Sequence, residues 1–161
     1  MKSQHAFFFV GGMKLKSVRW AILPILLCFG VWMLFRTVLF VGLVPSSSME
    51  PAIPAESVIL GSRIFSELGR GDIIVFRHEG KTLVKRIVAV PGDTVYLDDL
   101  DGSFTVNRET PNATRILTVP EGYFFVVGDN RRNSLDSRVW EAPFVSGEAV
   151  IARLVNCKEE A

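Results

Sequence analysis

The chain has 161 residues, of which 48% are hydrophobic, and its 18 basic and 17 acidic side chains leave a formal net charge of +1. That length accommodates one membrane segment plus one domain of ordinary size, roughly 100–150 residues. Five basic residues (Lys2, Lys14, Lys16, Arg19, Arg36) and no Asp or Glu precede Val44, so the rest of the chain is mildly acidic, which excludes nucleic-acid binding through a basic face.

In chain order, residues 1–19 read as a basic tail and residues 20–44 as a transmembrane anchor. From Trp20 to Val44 only Arg36 and Thr37 interrupt the apolar run. As a helix, this run would reach about 37 Å against a hydrocarbon core of about 30 Å. Trp20 to Phe35 alone would reach about 24 Å, which puts Arg36 near the far interface, its head snorkelling to the lipid head groups. The run is too long for the apolar region of a cleaved secretory signal, and no small-residue cleavage pattern follows it. Lys14, Lys16 and Arg19 flank the near end, so the N-terminus is expected in the cytoplasm and residues 45–161 outside.

After Val44 short β-branched or apolar runs alternate with Gly, Pro, Asp and Asn: Val58 to Leu60, Asp72 to Phe76, Thr82 to Val90, Thr94 to Leu97, Phe104 to Val106, Arg115 to Val119, Tyr123 to Val127 and Ala149 to Val155. The body is therefore expected to be mostly β. His78-Glu79-Gly80-Lys81 resembles a hairpin turn, and Pro91-Gly92-Asp93 and Gly128-Asp129-Asn130 are further turn signals. Asp98 to Pro111 is the most polar excursion.

Candidate chemistry is concentrated in three places: Pro45 to Pro51, Lys85, and Gly128 to Arg138. Cys28 and Cys157 lie too far apart in the reading for a disulfide, and His5 and His78 are the only histidines. No metal site and no cofactor are expected. A Ser cluster after an apolar segment is by itself an ordinary solvated linker. Lys85 is more informative, because strand alternation puts it on one face with Leu83, Ile87 and Ala89. A lysine there either covers an apolar edge with its stem or is buried. Burial disfavours the ammonium and yields a neutral amine able to take a proton from a serine. With so few histidines a Ser-His-Asp arrangement is poorly supplied, and lysine is the better base.

Pro45-Ser46-Ser47-Ser48-Met49-Glu50-Pro51, Gly71 to Phe76, Leu83 to Asp93 and Gly128 to Arg138 resemble, in order, the four sequence boxes of type I signal peptidases. The resemblance spans residues 45 to 138. It implies a signal-peptidase-type β catalytic domain of coiled antiparallel sheets behind one N-terminal transmembrane helix. It also implies that Ser48 is the nucleophile, Lys85 the general base, and Ser46 with the Ser48 backbone N–H the oxyanion donors. Ser134 matches a hydroxyl that orients the lysine amine, while Asp129, Asp136, Arg138 and Arg86 match supporting residues. Val44, Met49 and Ile53 are expected to line shallow apolar pockets selecting small residues, typically Ala, at the first and third positions before the cut.

Two departures stand out. Arg132 occupies a position where the family commonly has Asp or Asn, and the short stretch from Lys85 to Gly128 leaves no room for the large second domain of some Gram-negative members. The implied function is removal of signal peptides from exported preproteins through an acyl-enzyme at the outer face of a bacterial cytoplasmic membrane. The implied partners are those signal peptides, membrane lipid and the nearby protein export channel. The rival readings are a self-cleaving repressor-type Ser/Lys protease and an inactive membrane-tethered β module that binds signal peptides or partner proteins. An endoplasmic-reticulum-type peptidase would carry His at the Lys85 position.

Overall fold

The computed structural model describes residues 15–155, with side chains from residue 22 onward. His5, Cys157 and most of the basic tail lie outside the described residues. The chain divides into two units, one ending at Arg36 and one beginning at Thr37. Helix α1 (Leu15–Thr37) carries the first. From Ile22 on, its Leu, Ile, Phe, Trp and Val side chains are exposed on successive positions. Over the described side chains, no helix is long and apolar enough to cross a membrane.

The apolar run expected to form one anchor from residue 20 to 44 is two elements. The helix stops at Thr37, and Leu39–Val44 forms strand β1. The strand pairs antiparallel with β2 (Ser57–Ser62) over six residues, from Leu39↔Ser62 to Val44↔Ser57. The polar pair Arg36-Thr37 and the β-branched residues that follow favour the switch, and pairing with β2 satisfies the backbone that a longer helix would have used.

The remaining strands are β3 (Ile73–His78), β4 (Lys81–Ala89), β5 (Thr94–Leu97), β6 (Phe104–Val106), β7 (Arg115–Thr118), β8 (Tyr123–Val127), β9 (Val145–Ser146) and β10 (Val150–Leu154). They form a seven-stranded sheet in the order β1-β2-β10-β3-β4-β8-β9 and a three-stranded sheet in the order β6-β5-β7, paired antiparallel throughout. The fold is thus mostly β with antiparallel sheets, as the alternating runs predict. The β3–β4 hairpin closes through Glu79 and Gly80, both at positive φ (47° and 76°), the backbone that a two-residue turn matched to strand twist requires.

The central strands are covered on both faces. In β3, Ile73 and Val75 pack with Val44, Met49, Ile53, Ile59, Ala152 and Leu154, while Ile74 and Phe76 pack with Ile87, Phe124, Val126 and Val145. Phe125 and Val127 of β8 join Ala89, Val95 and Val119 in a third cluster that ties the small sheet to the large one. Strands buried on both faces lose simple alternation and read as continuous apolar runs. This double cover sets the environment of β4, where Lys85 and Arg86 are each only 4% exposed.

Candidate active site

Lys85 sits opposite Ile74 in the β3–β4 register, and one step beyond the Arg86↔Val127 pair the β8 side reaches Gly128. Its amine donates a hydrogen bond to Ser48 Oγ at 2.6 Å. Ser48 lies in a 3-10 turn, Ser47–Met49, directly after the extended Ser46. The turn is anchored from below by Met49, which is fully buried, and by the bond from the Ile53 N–H to the Met49 carbonyl at 2.8 Å. A buried methionine next to a half-exposed serine holds the hydroxyl at the surface of the core and within reach of the lysine. Ser46 Oγ stands 3.4 Å from Ser48 Oγ.

Burial holds the Lys85 pKa below the ordinary lysine value of 10.5. The Arg138 charge lowers it further, while Asp136 and Asp129 oppose the shift without cancelling it. The sheet therefore supplies an amine biased toward its neutral form, bonded to a serine hydroxyl. When the amine is neutral, the hydroxyl becomes the donor and the amine the acceptor.

The segment from Gly128 to Arg138 closes over this pair. Asp136 is fully buried, and Arg138 is nearly so. The Arg138 guanidinium donates to both Asp136 oxygens, at 2.8 and 3.0 Å, and the Gly128 N–H donates to the same carboxylate at 2.9 Å. Burial alone would push the Asp136 pKa up, but these donors hold it below the usual carboxylate range. The Ser134 hydroxyl contributes to this effect, yet its Oγ is buried without a well-formed hydrogen bond, and none joins it to Lys85. Arg86 forks onto Asp129 at 2.8 and 2.7 Å and donates to the Gly71 carbonyl at 2.9 Å, joining three of the four sequence boxes.

Gly128 is required by space. A Cβ there would fall 2.5 Å from the Ser48 carbonyl oxygen and closer still to Ser134 Oγ. Asn130 and Asn133, which sequence reasoning passed over, also reach the Ser47–Met49 turn. The Asn130 N–H donates to the Ser48 carbonyl at 3.0 Å and its side-chain amide to the Ser47 carbonyl at 3.1 Å. The Asn133 amide donates to Ser47 Oγ at 2.7 Å. Their only sequence signal is polar amides inside the last box.

Not every expected site residue lies open beside the Ser48–Lys85 pair. Val44, Met49 and Ile53 are all nearly or fully buried in one core cluster, against which the half-buried Phe40 and Val84 also pack. An open cleft of about 970 Å³ is lined by Asp98, Asp99, Asp101, Phe104, Arg132, Ser134 and others, but by neither Ser48 nor Lys85. It lies between the polar excursion after β5 and the segment from Arg131 to Val139.

Among known proteins, residues 16–117 and 102–157 match the family model described as signal peptidase, peptidase S26. Signal peptidase I of Bacillus licheniformis is 33% identical, with 66% of this chain and 70% of that protein covered. The mitochondrial ATP-independent inner membrane protease subunit 1b of Arabidopsis thaliana is 36% identical, with 56% of this chain and 54% of that protein covered. The crystal structure of a signal peptidase I from Enterococcus faecalis V583 is 30% identical, covers 57% of this chain and 100% of its own, and superposes with a TM-score of 0.43. The chain thus spans 70% and 54% of the length of these two curated relatives. With both family segments matched across most of its length, the chain belongs to the signal peptidase family, peptidase S26, a family of serine endopeptidases that remove signal peptides.

Proposed function

We propose that the chain cleaves signal peptides from exported preproteins with Ser48 as nucleophile and Lys85 as general base. The observation that carries this reading is the 2.6 Å bond between the buried Lys85 amine and Ser48 Oγ. In the first step the Ser48 proton passes to the neutral amine as Oγ bonds to the scissile carbonyl carbon. The resulting oxyanion is received by the Ser48 N–H and the Ser46 hydroxyl, donors acting on charge that develops only in the transition state. Collapse breaks the C–N bond, and the Lys85 ammonium returns its proton to the leaving amine. The same neutral amine then takes a proton from water, which attacks the ester and releases Ser48. Ser134, with its buried and poorly bonded hydroxyl, is the nearby group suited to orienting the amine. Asp129, Asp136, Arg86 and Arg138 hold the loop that encloses it. Val44, Met49 and Ile53 lie in the core cluster beneath the Ser48 turn and support it from below, with almost no surface left for a substrate side chain.

The tail over 1–19 is assigned to the cytoplasm, and a single-pass anchor is assigned to the helix rather than to the whole run of residues 20–44. Its apolar stretch from Trp20 to Phe35 would reach about 24 Å of a hydrocarbon core of about 30 Å, so the anchor reading relies on Arg36 reaching out to the head groups at one end. Apolar side chains exposed all round suit lipid. The body beginning near Thr37 then lies outside the cytoplasmic membrane. A second contact with lipid follows from the β1–β2 hairpin, where Val41 faces Leu60 and Leu43 faces Val58 on one outer surface, each at least half exposed. Cleavage would occur beside the bilayer that holds the substrate's apolar segment, near the export channel.

Two experiments test this. Incubation of the purified chain with an acylator of active-site serines, followed by peptide mapping, is expected to place the adduct on Ser48. An unlabelled chain would favour the inactive binding module. Protease added outside intact spheroplasts is expected to digest the body, and its protection until the membrane is breached would reverse the topology.

A further inference from the structure

We infer that Asn130 is a positioning residue for the oxyanion hole. The inference rests on the assignment of Ser48 as nucleophile. The peptide unit that contains the Ser47 carbonyl also contains the Ser48 N–H, and because the unit is planar, fixing one fixes the direction of the other. Asn130 Nδ2 donates to that carbonyl at 3.1 Å. The Asn130 N–H donates to the next carbonyl, that of Ser48, at 3.0 Å. Both peptide planes flanking the nucleophile are therefore held by one residue from a segment 83 positions away in sequence.

The grip has a rigid base. Asn130 follows Asp129, which is forked to the buried Arg86, and Gly128, whose N–H is held by the fully buried Asp136. The Glu50 N–H also donates to the Ser47 carbonyl, at 3.2 Å, but from within the same short turn, so it does not tie that turn to the sheet. A 3-10 turn of three residues is weakly held by its own bonds. The external amide supplies the orientation that a preorganised donor needs before charge develops. Asn133 differs in kind: its bond to Ser47 Oγ is exposed and touches a side chain, so it does not direct the peptide plane.

The test uses the full chain in detergent micelles and a reporter preprotein. Asn130→Ala is expected to lower kcat about ten- to hundredfold, less than the outright loss of an oxyanion donor, with KM changed less than about twofold. A peptide aldehyde, whose adduct with Ser48 places an oxyanion in the hole, is expected to lose affinity by the same factor. The matching unreactive peptide alcohol is expected to bind as before, and the pH limb set by Lys85 is expected to stay in place. Asn130→Ser, which keeps a shorter donor, serves as the second variant should Asn130→Ala fold poorly, and is expected to show the same pattern at intermediate size. Equal weakening of aldehyde and alcohol, a shifted pH limb, or unchanged kcat would overturn the inference. Continued cleavage by Ser48→Ala would instead overturn the nucleophile assignment itself, so the two failures are distinguishable.

Discussion

Ser48→Ala is expected to reduce processing of a reporter preprotein by at least about 10⁴-fold, whereas Ser47→Ala is expected to stay within about threefold of the wild type. The contrast between adjacent serines follows from what each hydroxyl touches. Ser48 Oγ is bonded to the buried amine at 2.6 Å, the contact with a base that a serine nucleophile needs. Ser46 Oγ, at 3.4 Å from Ser48 Oγ, is the hydroxyl proposed above as an oxyanion donor. Ser47 Oγ instead accepts an exposed bond from Asn133, whose loss is worth about 0.5–1.5 kcal/mol of local stability. The backbone carbonyl of Ser47, which Asn130 holds, survives the change to alanine. Processing assays in membranes carrying each variant measure the difference. Turnover retained in Ser48→Ala would remove the serine mechanism, and loss in Ser47→Ala comparable to Ser48→Ala would show that the turn tolerates no change at all.

The strands and the buried lysine were legible because local patterns reach that far. Leu83, Lys85 and Ile87 alternate with Val84 and Arg86, and the Glu79-Gly80 turn announces itself by residue type. The site needed more than pattern. Strand β1 was hidden because Leu39 to Val44 continues the apolar composition of α1, and a short apolar run looks alike in helix and strand. The two-residue β9 was too short to show any period. Val44, Met49 and Ile53 were expected to line a substrate pocket, yet they are buried together in one core cluster, an outcome of β1 closing on β2, β3 and β10 that no local pattern encodes. Asn130 was illegible for the same reason: its value lies in reaching Ser47 across most of the body, and nothing near it in the chain encodes that distance. Family resemblance located the boxes, and tertiary closure determined which atoms within them meet.

Lys85→Arg is expected to be as inactive as Lys85→Ala, because the guanidinium stays protonated at any working pH and has no lone pair to offer. Burial keeps the Lys85 pKa below 10.5, and activity in the wild type is expected to rise with pH through that lowered value as the ammonium loses its proton. Lys85→His is expected to retain partial activity with the rising limb moved to lower pH, since imidazole is neutral there. The same shift makes a stability claim of definite sign. Between the folded pKa and 10.5 the unfolded chain binds the lysine proton and the native chain does not, so this group's contribution to stability increases with pH across that window. Below the folded pKa its charge is buried at full cost. Lys85→Met, similar in shape and uncharged, is therefore expected to raise Tm at neutral pH while abolishing cleavage, with the gain shrinking as pH approaches 10.5. Rate against pH and Tm against pH for the wild type and the four variants check both claims. Near-normal turnover in Lys85→Arg would rule out the general base, and a Tm advantage of Lys85→Met that grows with pH would show that the native lysine is not held below its ordinary value.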